Sequence, residues 1–163
     1  MKEYSLTLEP SSIDKLPVER DILNSDIYFN QVSKDKDELS DEEIRKELEE
    51  AATIGAERYL IKDGDSYIGV LDFLMNNPRD NCTWLGLLQI KKSEQSRGLG
   101  LAAFRLFCEM MRERGVTSFR LGAIVENEPA RRFWEQRGCK PVKNATLPDG
   151  KAIVVYEKDL KED

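Results

Sequence analysis

Apolar positions along the chain follow two periods, and the switches between them mark the elements. Tyr4 to Leu8 alternates apolar and polar residues, as an edge strand does. Helical spacing follows, with Pro17 suited to a first turn or a break. Ser40-x-x-Glu43 reads as a capping box; Ile44, Leu48 and Ala52 recur behind it at helical spacing, and Gly55 can end that helix. Arg58 to Lys62 and Ser66 to Leu74 are strand-like around an Asp63-Gly64-Asp65 hairpin turn. A second turn region, residues 76–81, leads into the apolar run Trp84 to Ile90, which reads as a buried strand. Leu101 to Arg114 puts Leu101, Phe104, Phe107, Cys108 and Met111 on one helical stripe, closed by Gly115. Ser118 to Val125 is a further strand. Asn127 can cap the next helix, Pro129 fits its first turn and Gly138 can end it. Pro148-Asp149-Gly150 divides a final hairpin whose second strand is Ala152 to Tyr156.

The predicted order is β-α-α-β-β-β-α-β-α-β-β, three antiparallel strands followed by a strand–helix–strand crossover. This is a mixed α/β (α+β) fold in a single domain over 1–163, with no linker, repeat or low-complexity tract. The crossover has to bury the Phe104 stripe against the sheet, so its aromatics are core rather than a ligand box. A register pairing Phe73 with Trp84 turns Asp72, the one carboxylate inside the Ser66–Leu74 strand, to the opposite face. No catalytic role is assigned to it.

The 163 residues are 40% hydrophobic and 34% charged, a soluble globular composition. No apolar run approaches the roughly 20 residues that span a bilayer. Met1-Lys2-Glu3-Tyr4 lacks a signal-peptide core, so a cytoplasmic location without membrane contact is expected. Cys82, Cys108 and Cys139 form no Cys-x-x-Cys pair, and neither a disulfide framework nor a metal site is expected. Histidine is absent, which excludes Ser-His-Asp and Cys-His catalysis. Proton transfer is left to carboxylates, tyrosine, water or backbone groups.

The net charge of −6 is uneven. Residues 35–50 hold nine acids against three bases; residues 91–143 hold twelve bases against six acids. Nucleic-acid binding is not expected at this overall charge, although Arg131, Arg132 and Arg137 make a local basic cluster.

The basic half contains Gln95-Ser96-Arg97-Gly98-Leu99-Gly100, between the apolar strand and the amphipathic helix. Strand, glycine-rich turn, helix aims backbone N–H groups at a phosphate. Gly98 and Gly100 remove Cβ atoms where a ligand approaches, amides from Arg97 to Ala102 sit at the positive helix end, and Arg97 adds a charge. No Gly-Lys-Ser/Thr and no Gly-x-Gly-x-x-Gly is present, which argues against a nucleotide fold of either kind.

Gln95-x-x-Gly98-x-Gly100, then Asn127-x-x-Ala130, then Phe133-Trp134 four residues before Gly138-Cys139, resemble the GNAT acyltransferase superfamily. The resemblance covers about residues 57–158. It implies a central, mostly antiparallel sheet splayed between its fourth and fifth strands and flanked by helices. It divides the chain into acceptor-side helices (about 10–55), an acyl-CoA-binding core (about 57–140) and a C-terminal hairpin (about 141–160). It further implies acetyl-CoA as acyl donor, bound by Leu88, Gln89 and Ile90, by the loop and helix start from Gln95 and Ser96 through Arg97, Gly98, Leu99, Gly100, Leu101 and Ala102, and by Asn127, Ala130 and Phe133. Asn127 reads equally as a helix cap. The three arginines fit the 3′-phosphate of the cofactor. The partner implied is an amine acceptor, a cationic one included, and homodimers are common in the family. The implied activity is N-acetyl transfer to a primary amine; a non-catalytic acyl-CoA-binding regulatory module is the alternative.

The chain departs from the family pattern at catalysis. Trp134 stands where the family often has the tyrosine that protonates the departing thiolate, and Trp84 stands eleven residues before Gln95, where histone-acetylating relatives have a glutamate base. Ser96 replaces a frequent glycine and Cys139 a common phenylalanine. The catalytic residues therefore stay unassigned. The acidic stretch Asp35–Glu50 reads either as a solvated helix face or as a wall that favours a polyamine, an aminoglycoside or a peptide amine.

Overall fold

The computed structural model describes residues 5–162. Tyr4, where the edge strand is expected to begin, lies outside them. The elements are β1 (Leu6–Pro10), α1 (Leu16–Leu23), α2 (Ile27–Lys34), α3 (Asp41–Ile54), β2 (Glu57–Asp63), β3 (Ser66–Asn77), β4 (Cys82–Ile90), α4 (Leu99–Glu113), β5 (Ser118–Ile124), α5 (Glu128–Gln136), β6 (Lys140–Thr146) and β7 (Ala152–Asp159).

The expected capping box at the start of α3 forms in full, with Ser40 and Glu43 each satisfying the other's backbone N–H. The expectation of two helices between the first two strands is corrected to three. Asn24 breaks the helical run by trading two hydrogen bonds with the main chain of Leu39. Asp26 restarts it by accepting from the Phe29 N–H.

The strands pair in one sheet of order β1-β2-β3-β4-β5-β7-β6. All neighbours are antiparallel except β4 and β5. That parallel ladder is short: it holds Trp84 opposite Arg120 and Leu85 opposite Leu121. Beyond it β4 stays with β3 as far as Ile90, and β5 stays with β7 as far as Ile124. The sheet thus opens between its fourth and fifth strands, as the resemblance implied.

The expected β3–β4 register is off by one. Phe73 lies opposite Leu85, and Leu74 rather than Phe73 lies opposite Trp84. Asp72 lies opposite Leu87, so Gly86 is an extra, unpaired residue in β4. The bulge shifts the alternation of side chains. Leu85 packs in the cluster under α4, whereas Leu87 packs in the cluster under α1 and α3.

Two cores result, one on each face. Leu99, Ala103, Phe104, Phe107, Cys108 and Met111 of α4 bury against Phe73, Leu85, Phe119 and Leu121, with Phe133 and Trp134 of α5 at the margin. The predicted stripe is therefore core, with Leu101 only half-buried at its start. Ile22, Leu23, Ile44 and Leu48 bury against Leu60 and Val70 on the other face. No helix of the described residues is long and apolar enough to cross a membrane.

Candidate functional site

The opening in the sheet leads directly into the first turn of α4. Between them a 3₁₀ turn, Lys92–Glu94, precedes the glycine-rich segment. Gln95 braces that segment: its Nε2 donates to the Ile90 carbonyl at 2.9 Å and to Asp26 Oδ2 at 3.0 Å. The α1–α2 corner holds the same connection from outside, through Ser25 accepting from the Lys92 N–H and Asp21 pairing with Lys91. Arg97 at the rim donates to Glu94.

Ser96 and Gly98 both adopt left-handed backbone, with φ of 67° and 82°. Gly98 is the N-cap of α4 and offers no side chain to it. The first-turn amides of Leu99, Gly100 and Leu101 have no acceptor within an α-helix, which leaves them for an anion. The expected donor set narrows at its far end, because the Ala102 N–H donates to the Gly98 carbonyl at 3.1 Å. The two glycines serve different needs. Gly98 is there for its positive φ. Gly100 is there for space, since a Cβ would meet the Phe133 ring at 3.3 Å.

Phe133 belongs to the facing wall, built by α5. Asn127 is buried and caps that helix by accepting from the Ala130 N–H at 3.2 Å. Phe133 crosses Trp134 edge-on, and Arg137 lies 5.1 Å from its ring centre. Trp134 also tilts against Phe104, so an aromatic packing residue occupies the place of the expected acid. On β4, Leu88 and Ile90 face the α4 core. The Gln89 side chain points to the opposite face, with Nε2 3.4 Å from the Ile22 and Leu23 carbonyls. Its main-chain carbonyl turns toward Gly69 of β3 and away from the opening.

On the α1/α3 face, below the bulge, lies a buried ionic cluster that the sequence pattern alone does not announce. Arg58 Nε and Nη2 donate to the two oxygens of Glu19 at 2.9 and 2.7 Å. Ser11 adds a 2.6 Å hydrogen bond to Glu19, whose side chain is fully buried. The remaining Arg58 nitrogen donates to Asp72 Oδ2 at 3.2 Å. Burial pushes the Asp72 carboxyl above the usual range, against the pull of Arg58. Two signals were available: the alternation that puts Arg58 opposite Asp72, and a glycine inside an apolar strand.

The acidic stretch is mostly spent on internal partners. Asp41 pairs with Arg20, Glu43 with Lys36, Glu47 with Lys34, and Asp37 accepts from Gln31. Asp35, at the end of α2, accepts from Lys151 with both oxygens at 2.8 Å and so ties the last hairpin to the N-terminal helices. Trp84 donates its indole N–H to Asp80 at 2.9 Å and offers no base.

Comparison with known proteins agrees with this geometry. A family model described as the acetyltransferase (GNAT) family matches residues 21–139, which include the bulge, the glycine-rich segment and Asn127. No curated protein sequence matches the chain. Among solved structures, an acetyltransferase from Thermus thermophilus superposes with a TM-score of 0.79 at 21% identity, covering 95% of this chain and 97% of that one. A Salmonella typhimurium acetyl transferase that modifies the N-terminal serine of ribosomal protein L7/L12 superposes at 0.78, with 18% identity and 95% of each chain covered. A Vibrio cholerae spermidine N-acetyltransferase, solved with CoA and spermine, superposes at 0.73, with 15% identity and 96% of each chain covered.

Proposed function

Because the chain belongs to the acetyltransferase (GNAT) family, we propose that it moves an acetyl group from acetyl-CoA to a primary amine of a small molecule or peptide by direct attack. What supports the reading is the order of elements along the path proposed for the cofactor, from the open edge of β4 to the first turn of α4. The first-turn amides of α4 fit a pyrophosphate, with the positive φ of Gly98 setting the turn that presents them. Among the described residues the β5-side edge of β4 from Leu88 to Ile90 has no strand partner, and it fits an extended amide-bearing arm, which would add to it as a strand does. Asn127, Ala130 and Phe133 form the other side of that path, and Arg131, Arg132 and Arg137 suit the 3′-phosphate. Main-chain N–H groups at the bulge supply polarising donors for the acyl carbonyl. When bound, acetyl-CoA supplies the activated acyl carbon; the protein supplies position and desolvation.

The acceptor is a cation or carries an amine that is one in water. Spermidine, spermine and peptide N-termini are the first to try, since structural relatives act on such amines. The Asp35–Lys151 bridge supports an acceptor side walled by the helices of about 10–55 and, across from them, the hairpin of about 141–160. The reaction belongs in the cytoplasm, where Cys82, Cys108 and Cys139 stay reduced.

Trp134 supports a second reading, a non-catalytic acyl-CoA-binding regulatory module. Calorimetry with acetyl-CoA on the wild type and on Gly98→Glu tests the shared premise. Micromolar binding lost in the variant is expected; no wild-type binding overturns both readings. Thiol release with spermidine, spermine and a peptide with an N-terminal serine then separates them, since the module binds without turnover.

A further inference from the structure

We propose that Asp72 is the carboxylate that receives the acceptor ammonium and takes its proton. The proposal rests on the transferase reading above and names a residue for it. Asp72 Oδ1 sits against the β4 bulge: a Cβ on Gly86 would lie 3.0 Å from it. Gly86 directly follows Leu85, which makes the last recorded pair with β5. The carboxylate therefore stands at the apex of the opening, where the acyl carbon would lie if the cofactor follows the edge of β4.

Asp72 stands on the face of the sheet turned away from α4. Phe119, Leu121 and Ala123 of β5 bury toward α4, so Gly122 faces the same way as Asp72. A Cβ on Gly122 would meet Ile153 at 3.0 Å and Trp84 at 3.7 Å. Gly86 and Gly122 add no side chain of their own at the apex, and Asp72 packs over the first while Ile153 and Trp84 pack over the second. The Asp72 side chain keeps 14% of its surface exposed.

Charge supports the same assignment. Groups facing Asp72 come from α1 (Glu19), β2 (Arg58) and α3 (Glu47); its β4 neighbours, Gly86 and Leu87, do not titrate. Arg58 gives its bidentate grip to fully buried Glu19 and a single 3.2 Å bond to Asp72. One cation faces two close carboxylates, with Glu47 at 3.9 Å from Arg58 as a third. The surplus is negative, and Asp72 is the carboxylate beside the opening. Arg58 orients Oδ2, which leaves Oδ1 to face the bulge. Burial raises the affinity of this carboxyl for a proton, the direction a general base requires.

The step balances. The acceptor enters as an ammonium, and Asp72 takes one proton and frees the nitrogen lone pair. The nitrogen attacks the acyl carbon, the C–N bond forms, the C–S bond breaks, and sulfur leaves with the bonding electrons. A second nitrogen proton passes through water to the thiolate, and the proton on Asp72 returns to solvent. One ammonium and one thioester give one amide, one thiol and one proton.

The test compares wild type, Asp72→Asn and Asp72→Glu by acetyl-CoA calorimetry, by melting, and by turnover of spermidine, spermine and the N-terminal serine peptide from pH 6 to 10. Expected for Asp72→Asn are unchanged acetyl-CoA affinity, a melting temperature at pH 8 equal to or above wild type, and kcat/KM reduced about 10²- to 10⁴-fold at pH 7. The deficit should narrow as pH rises and the amine deprotonates in solution, and Asp72→Glu should recover part of the rate. A merely structural Asp72 predicts the reverse: a lowered melting temperature and a pH-independent deficit. That result, or undiminished turnover by Asp72→Asn, overturns the proposal and leaves the transferase reading standing. Wild type that binds acetyl-CoA but acetylates none of the amines overturns the proposal in favour of the binding module. Wild type that does not bind acetyl-CoA overturns the proposal together with the reading beneath it.

Discussion

Gly100 in the first turn of α4 and Phe133 on α5 are fitted so closely that a β-carbon on the glycine would stand 3.3 Å from the ring edge. This contact joins the two elements that would wall the proposed cofactor path. Gly100→Ala has to move a half-buried ring by a few tenths of an ångström, while the helix gains up to about 1 kcal/mol in propensity. The two effects nearly cancel, so its melting temperature should stay within about 2 °C of wild type. Gly100→Val adds atoms the ring cannot clear; it should melt several degrees lower and bind acetyl-CoA at least tenfold more weakly in calorimetry. A Gly100→Val variant with wild-type affinity would detach this wall from the cofactor path.

Ser96 holds φ at 67° without the freedom of glycine. Left-handed backbone costs an ordinary residue about 1–2 kcal/mol, and glycine returns about 1 kcal/mol of that in added chain entropy when unfolded. Ser96→Gly should therefore raise the melting temperature by about 1–3 °C, and Ser96→Val should lower it. Thermal melts of the two variants beside wild type decide it; a destabilised Ser96→Gly would mean that the serine hydroxyl matters to the turn.

Much of this fold is legible in sequence because its signals are local. The Ser40–Glu43 box, the Phe104 stripe and the Asn127 cap each lie within about three turns of chain, and each forms as expected. The break at Asn24 was not legible, because what fixes it is the distant main chain of Leu39. The bulge at Gly86 was half-legible: an isolated glycine in a strand announces an irregularity but not the register that follows. That one residue decides that Leu87, not Leu85, shares a face with Asp72. Gln95 shows the same limit within the site. Its place in the motif was visible, but its contacts to Asp26 and Ile90 come from chain folded against it.

Arg58 is the counter-ion on which the cluster beneath the bulge depends. Its side chain is 8% exposed and faces a Glu19 with no exposure at all. Arg58→Met would strand that carboxylate without a charge partner, a change that typically costs about 3–5 kcal/mol. Urea denaturation should show the loss as a lower midpoint at unchanged slope. Adding Glu19→Leu to the same chain should recover most of it, because the buried charge goes with its partner. If the double variant is no more stable than Arg58→Met, packing rather than charge holds these elements together.

The α3 capping box gives the protein an acid-labile helix start. Lys36 donates to Glu43, and the Ser40 N–H adds to the pull, which together lower the Glu43 carboxyl from 4.5 to about 2. A carboxyl with a depressed folded-state pKa contributes its stability above the unfolded value and loses it as pH falls through the folded value. The contribution of Glu43 should therefore be complete above pH 4.5 and gone below about 2. Melting curves of wild type and Glu43→Gln across this range should run parallel above pH 4.5, with wild type higher, and converge as the pH approaches 2. The side chain is exposed, so salt should shrink the gap at every pH. A gap that persisted unchanged at the acid end would mean that the Glu43→Gln variant loses packing or geometry, and that the charge on Glu43 does not hold the helix start.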